Sequence, residues 1–338
     1  MSRRAPPVLL AYRALGLGDL LTAVPALRAL ADAFAGHRRV LAAPQALAPL
    51  ALGVGVVDEV IDARPFAPLP VVGGLDVAVN LPGNGLDVAV NLHGRGPQSH
   101  RVLLAAEPRR LIAFAHHDVA ASRGGPRWRA DEHEVGRWCR LLEESGVPAD
   151  PRRLDIDPPA RPAPPAARAA VLIHPGAASP ARRWPVTRWA TVARALRVRG
   201  KTVVVSGGRN EIALAHSLAG AAGLPRACVL AGATDVLDLA APVAAADAVL
   251  CGDTGVAHLA TALGTPSVVL FGPSSPGAWG PPPDRRRHRV LWSRRTGDPH
   301  GSEIDRGLLA ITEGDVLEAL EQLESESHLV GARPGGAA

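Results

Sequence analysis

Sulfur is scarce in this chain of 338 residues, which holds three cysteines and one methionine. Cys139, Cys228 and Cys251 are unevenly spaced and set among apolar residues. No disulfide framework can be read from them, and reduced thiols in the cytoplasm are expected. Aromatic residues make up only 3%, and no aromatic-rich basic motif occurs, which argues against nucleic-acid binding. Long apolar runs are missing as well. Charges interrupt every would-be membrane span, and the run after the basic N-terminus is too short for a signal peptide.

What is present is an ordinary globular composition, 47% hydrophobic and 20% charged. The length exceeds the usual span of one core, so two domains are expected. The abundance of alanine, arginine, proline and glycine reads as compositional drift and carries no function. The formal charge of +5 and pI near 10 favour anionic ligands or a loose approach to an anionic membrane.

The most informative stretch is 248–273. Residues 248–251 form a short apolar run that stops at Gly252-Asp253-Thr254-Gly255, and apolar residues then recur at helical spacing to Leu263. Gly264 closes the helix, Thr265-Pro266 turns, and residues 267–271 are β-branched and apolar. The pattern predicts a βαβ unit. Backbone N–H groups and the helix dipole at its turn suit an anion, typically a phosphate. Asp253 or Thr254 acting merely as a helix cap is the plainer reading of the motif in isolation.

In the first half, a strand over 8–12 leads through a turn at 15–18 into a helix from Asp19. Gly16-x-Gly18 lacks the third glycine of the dinucleotide fingerprint, so no Rossmann cofactor site is read. Asp19 is a candidate general base or a plain N-cap. Further strands are expected at 40–43 and 56–61. Residues 75–85 are repeated almost unchanged as 86–96. Of this local duplication, the second copy is expected to supply the sheet strand, because it runs directly into His93-Gly94-Arg95-Gly96 and a helix from about Pro97. His93 and Arg95 then stand at a strand end where an anionic group can be met. A strand is expected at 111–114. His116-His117-Asp118 is read as a solvated loop, because adjacent histidines rarely ligate one ion and no further ligand is suitably spaced. A helix is expected over 132–145. Proline dominates 147–167, where the domain boundary is placed.

In the second half, a strand ends at His174. Arg182 and Arg183 lie in a loop, Thr187 is a plausible cap of a helix running to about Arg199, and a strand over 201–205 runs into Gly207-Gly208. A helix with Glu211 in its first turn, a strand at 227–230 and a helix over 235–245 precede the βαβ unit. A closing helix is expected over 313–323 and disorder over 324–338. Repeated strand and helix units imply parallel sheets covered on both faces. Their loops gather His174, Arg182, Arg183, Gly207, Glu211, Thr234, Asp253, Thr254 and Gly255 along one edge. That set combines carboxylates for hydroxyls with cations and N–H donors for phosphates, suiting a nucleotide with a sugar attached.

With these motifs in place, the chain resembles glycosyltransferase family 9, the family of bacterial ADP-heptose:lipopolysaccharide heptosyltransferases. The resemblance is carried by residues 17–27, by His174-Pro175-Gly176 with Arg183-Trp184-Pro185, by Ser206-Gly207-Gly208 with Glu211, and by residues 252–258 with 270–275. It implies an α/β, GT-B architecture of two Rossmann-like domains with parallel sheets facing a central cleft. The expected division is 1–155 on the acceptor side, a Pro-rich linker 156–168 and a nucleotide-sugar domain 169–323.

The resemblance further implies Asp19 as catalytic base. Arg182, Arg183, Glu211, Thr234, Asp253, Thr254, Gly255 and His258 are implied on the donor side, with Glu211 at the ribose hydroxyls. Gly18, Thr22, His93 and Arg95 are the acceptor-side candidates. Arg182 stands where characterised relatives often carry lysine, which alters the geometry of the charge. The implied activity is inverting, metal-independent transfer of a heptose from ADP-heptose to a lipid-linked or core oligosaccharide. No cofactor is expected, and the chain is expected to act as a cytoplasmic monomer near the inner membrane face. Another nucleotide sugar, a non-catalytic nucleotide-sugar binder and an epimerase are the alternatives.

Overall fold

The computed structural model describes residues 6–69, 86–232 and 235–331, with side chains described to 326. The chain divides into two compact units, Met1–Leu154 and Asp155–Ala338.

In the first unit the elements run β1 (Val8–Tyr12), α1 (Leu17–Thr22), α2 (Val24–Ala33), β2 (Arg38–Ala43), α3 (Ala48–Gly53), β3 (Glu59–Asp62), β4 (Leu86–Asn91), α4 (Gln98–Leu104), β5 (Arg110–Ile112) and α5 (Glu134–Glu143). The sheet order is β3-β2-β1-β4-β5 and every pairing is parallel. β1 is buried along its whole length, as expected of a strand covered on both faces. The helix expected from Asp19 begins two residues earlier and breaks at Ala23, with Pro25 in the first turn of α2. Proline fits there because its missing N–H would have no intrahelical partner.

β4 is the second copy of the duplicated segment, the one expected in the sheet. The first copy, 75–85, lies outside the described residues.

In the second unit the elements run β6 (Val171–His174), α6 (Val186–Val198), β7 (Val203–Val205), α7 (Ile212–Ala222), α8 (Val236–Ala245), β8 (Ala248–Gly252), α9 (Gly255–Leu263), β9 (Ser267–Phe271), α10 (Pro276–Trp279), β10 (His288–Trp292), α11 (Arg306–Leu309) and α12 (Glu313–Gly331). The sheet order β10-β9-β8-β6-β7 is again all parallel. Its core includes Trp184 and Trp189, edge to face at 4.7 Å, with the Trp184 indole N–H donating to the Ile311 carbonyl at 3.2 Å.

Three sequence expectations are corrected here, and one strand was not expected. Residues 227–230 form no strand: Val229 makes a lone bridge to Val205, next to a 3-10 turn over Arg226–Cys228. The fifth strand is β10, whose short run after an arginine-rich loop carries little periodicity. Thr187 does not cap α6, since the cap is Pro185. The closing helix continues past 323 to Gly331, aided by ion pairs of Lys201 with Glu324 and Arg289 with Glu326.

Residues 156–168 are built onto the second unit. The Ile156 N–H donates to the Ala262 carbonyl, Arg161 pairs with Asp235 and Asp238, and Ala167 is fully buried.

Candidate functional site

Each sheet reverses its winding at one point, between β1 and β4 in the first unit and between β6 and β8 in the second. Ligands of open parallel sheets sit at the carboxyl ends of the strands flanking that point. The ends of those four strands and the segments that follow them carry Asp19, His93, His174 and Asp253.

Asp19 is the third residue of α1. Its Oδ2 accepts from the Gly16 N–H at 3.1 Å and its Oδ1 from Arg13 Nη2 at 3.3 Å, with 26% of the side chain exposed. Asp19 is therefore not itself the N-cap; it reaches back to the capping glycine and keeps one edge toward solvent. Thr22, expected on the acceptor side, is buried: its hydroxyl donates to the Asp19 carbonyl and accepts from Arg13 Nη2. Gly18 lies within α1, and Arg95 is exposed in the loop after β4.

The sequence reading missed Arg13 and Glu134. The Arg13 side chain is fully buried and reaches Glu134 Oε1 at 2.9 Å, while Glu134 also accepts from the Trp138 indole at 2.9 Å and from Arg137. No local pattern marks Glu134, since it lies 121 residues from Arg13. His93 stacks on Tyr12 at 4.6 Å, and Phe66 meets His93 edge-on at 5.0 Å. Burial, helped by the Arg13 charge, pushes His93 down to about 4, so it is a neutral ring at physiological pH.

In the second unit α9 starts at Gly255 with Thr254 as its N-cap, and no side-chain hydrogen bond closes that cap. Thr254 thus holds the cap position expected of Asp253 or Thr254, without a side-chain hydrogen bond to the helix. Asp253 is buried and pairs with Arg182 at 3.7 Å. Arg182 Nη1 also donates to the Asp253 carbonyl at 3.3 Å, and Arg182 Nε is buried with no hydrogen-bond partner among the described residues. Arg183 Nε is committed to the Ala177 carbonyl at 2.8 Å. His258 meets Trp279 edge-on at 6.0 Å.

Glu211 repeats the Asp19 geometry. Its Oε2 accepts from the Gly208 N–H at 2.8 Å, three residues back. His174 Nε2 stands 3.6 Å from Glu211, and His174 Nδ1 pairs with the Ser206 hydroxyl at 3.0 Å. Burial holds His174 below the usual histidine range, against the pull of Glu211. Glycine at 176 leaves room for the Glu211 carboxylate, which a Cβ there would displace. Thr234 lies outside the described residues.

The thiol of Cys139 is pushed up to about 12 by burial, aided by Glu143 and Asp150, and that of Cys251 is also raised by burial. Neither suits a nucleophile. The ligand atoms of His116, His117 and Asp118 lie within 4.8 Å of one another on a loop, with His117 and Asp118 exposed.

Two doubly wound parallel units, with an acid at one switch point and an arginine beside an open helix N-terminus at the other, define a protein of the GT-B class. Residues 122–304, more than half of the chain, match the model of glycosyltransferase family 9 (heptosyltransferase), and the chain belongs to that family. It is 33% identical to lipopolysaccharide heptosyltransferase 2 of Salmonella typhimurium over 162 residues, 45% of this chain and 46% of the relative. Over 115 residues it is 39% identical to lipopolysaccharide heptosyltransferase 1 of Pseudomonas aeruginosa, 32% of this chain and 30% of the relative. The chain thus matches less than half the length of these curated relatives.

Among solved structures, the E. coli ADP-heptose lps heptosyltransferase II superimposes with a TM-score of 0.74 at 21% identity, covering 95% of this chain and 99% of the other. A family 9 glycosyl transferase from Veillonella parvula gives 0.75 at 21% identity, covering 95% and 98%. These likenesses establish the GT-B fold.

Proposed function

We propose that this chain is an inverting, metal-independent glycosyltransferase that moves a heptose from ADP-heptose to a hydroxyl of a lipid-linked or core oligosaccharide, as in lipopolysaccharide core biosynthesis. The observation that carries the reading is Arg182, whose guanidinium meets Asp253 just before the start of α9. A buried guanidinium N–H without a partner costs free energy. Beside it lie helix N–H groups that no side chain caps, so an anion satisfies both. A diphosphate is such an anion, and the relatives' heptosyltransferase names point to the same substrate class.

In this reaction the acceptor hydroxyl oxygen attacks the anomeric carbon from the face opposite the diphosphate. Asp19 takes the hydroxyl proton as the new C–O bond forms. The bond from the anomeric carbon to the diphosphate breaks, and its electron pair leaves with the diphosphate. Arg182 and the N–H groups of Thr254 and Gly255 stabilise that developing charge, which is the service a divalent cation would otherwise supply. Asp253 acts one step back by holding Arg182. Glu211, supported by Gly208 and faced by His174, takes the ribose hydroxyls. The reading places the enzyme as a monomer at the inner membrane face, in keeping with a pI near 10. Among the described residues no helix is long and apolar enough to cross a membrane.

Calorimetric titration with ADP, UDP and GDP, then with their sugar conjugates, tests the donor. Preference for ADP and ADP-heptose is expected; preference for UDP or GDP overturns the heptosyl assignment. Turnover lost in chelator and restored only by Mg²⁺ or Mn²⁺ overturns metal independence.

A further inference from the structure

Arg13 carries a full charge into a fully buried position, where it survives only if its donors are paired. Nε donates to the Asp19 carbonyl at 2.7 Å and Nη1 to the Leu92 carbonyl. Nη2 has two hydrogens but three acceptors: Glu134 Oε1 at 2.9 Å, Thr22 Oγ1 at 3.2 Å and Asp19 Oδ1 at 3.3 Å. The acceptors therefore compete, and Glu134 holds the shortest contact while Asp19 holds the longest.

Glu134 is itself held firmly. It accepts from the Trp138 indole and from Arg137, and the Arg13 guanidinium lies 4.8 Å from the centre of the Trp138 ring. Two arginines and two carboxylates balance in charge, and the neighbouring His93 ring adds none at neutral pH. Such an arrangement orients the Asp19 end of α1 through the backbone carbonyl while leaving its carboxylate weakly engaged.

We propose that Glu134 is a positioning residue that draws the Arg13 guanidinium away from the Asp19 carboxylate, so that Asp19 is oriented by Arg13 without being tied up by it. The proposal rests on the reading of Asp19 as the base. It makes Glu134, a residue on α5, a determinant of the proton-transfer step without contact with substrate.

The test uses the full chain with Glu134→Gln, which keeps the shape and the Trp138 bond but removes the charge. With ADP-heptose as donor and a heptose-deficient lipopolysaccharide core as acceptor, kcat is expected to fall at least tenfold. The KM for donor and the calorimetric affinity for ADP are expected to change less than twofold. Glu134→Asp should recover part of the loss. In an Arg13→Gln background, adding Glu134→Gln should have little further effect, because Glu134 acts through Arg13.

High-resolution crystal structures supply a readout that needs no turnover. The Arg13 Nη2 to Asp19 Oδ1 distance, 3.3 Å here, should shorten below 3.0 Å in Glu134→Gln. An unchanged distance overturns the proposal, as does an unchanged kcat in an enzyme that Asp19→Asn abolishes. If Asp19→Asn itself retains full activity, the base assignment fails instead, and the two failures are told apart.

Discussion

Arg182 and Asp253 meet twice, through the carboxylate at 3.7 Å and through the Asp253 carbonyl at 3.3 Å, one residue before the cap of α9. The pairing aims a cation at a helix N-terminus, where both the charge and the peptide dipoles favour the same kind of ligand. Replacing Arg182 by alanine is expected to weaken ADP binding by tenfold or more, on the scale of one charge-assisted hydrogen bond of about 1.5–3 kcal/mol. Arg182→Lys should retain part of the affinity, since it keeps the charge but loses the planar fork. Calorimetry reads both, and an alanine variant with wild-type affinity would remove Arg182 from the donor site.

Asp19→Asn should lower kcat by about 10²–10⁴-fold, the usual contribution of a positioned general base. The affinity for ADP should stay unchanged, because ADP carries neither the sugar nor the acceptor hydroxyl on which the base acts. Steady-state kinetics combined with calorimetry separates the two effects.

Gly176→Ala tests the carboxylate at the ribose end. The added methyl has no room beside Glu211, so the carboxylate must shift. The expected result is a several-fold loss of ADP affinity and a loss of discrimination between ADP and its 2′-deoxy or 3′-deoxy analogues. Equal discrimination in wild type and variant would place the ribose elsewhere.

Three histidines make stability depend on pH. Burial is the main cause in each case; with it, the charges of Arg13 on His93, of His116 on His100, and of Arg285 and Arg287 on His288 push all three down to about 4 from 6.5. The unfolded chain protonates near 6.5 while the folded chain resists until about 4. The stabilisation is therefore complete above pH 6.5 and is lost progressively as pH falls toward 4. The melting temperature should decline across that window. His100, whose ring nitrogens are both buried with no hydrogen-bond partner among the described residues, should contribute to the slope, and His100→Leu should flatten it. An unchanged slope would contradict this assignment.

The sequence carried the elements whose causes are local. Apolar runs and glycine turns marked β1, β6, β8 and β9, and the predicted stop of α9 at Gly264 is a left-handed cap with φ of 71°. Asp19 and Glu211 were legible because each follows a glycine turn by a short, fixed spacing. β10 was not, since its five residues follow an arginine-rich loop and owe their conformation to pairing with β9. Nor was the extension of α12, which is supported by ion pairs to other elements.

What the sequence determined alone was therefore the alternation of strands and helices, the glycine turns and the acids that follow them, because these depend on neighbours within a few positions. Tertiary structure decided which charges surround those acids. Glu134 reaches Arg13 across 121 residues and Arg182 reaches Asp253 across 71, and no periodicity records such pairs. A buried ion finds its partner through the packing of distant elements, and that packing is set by the folded sheet.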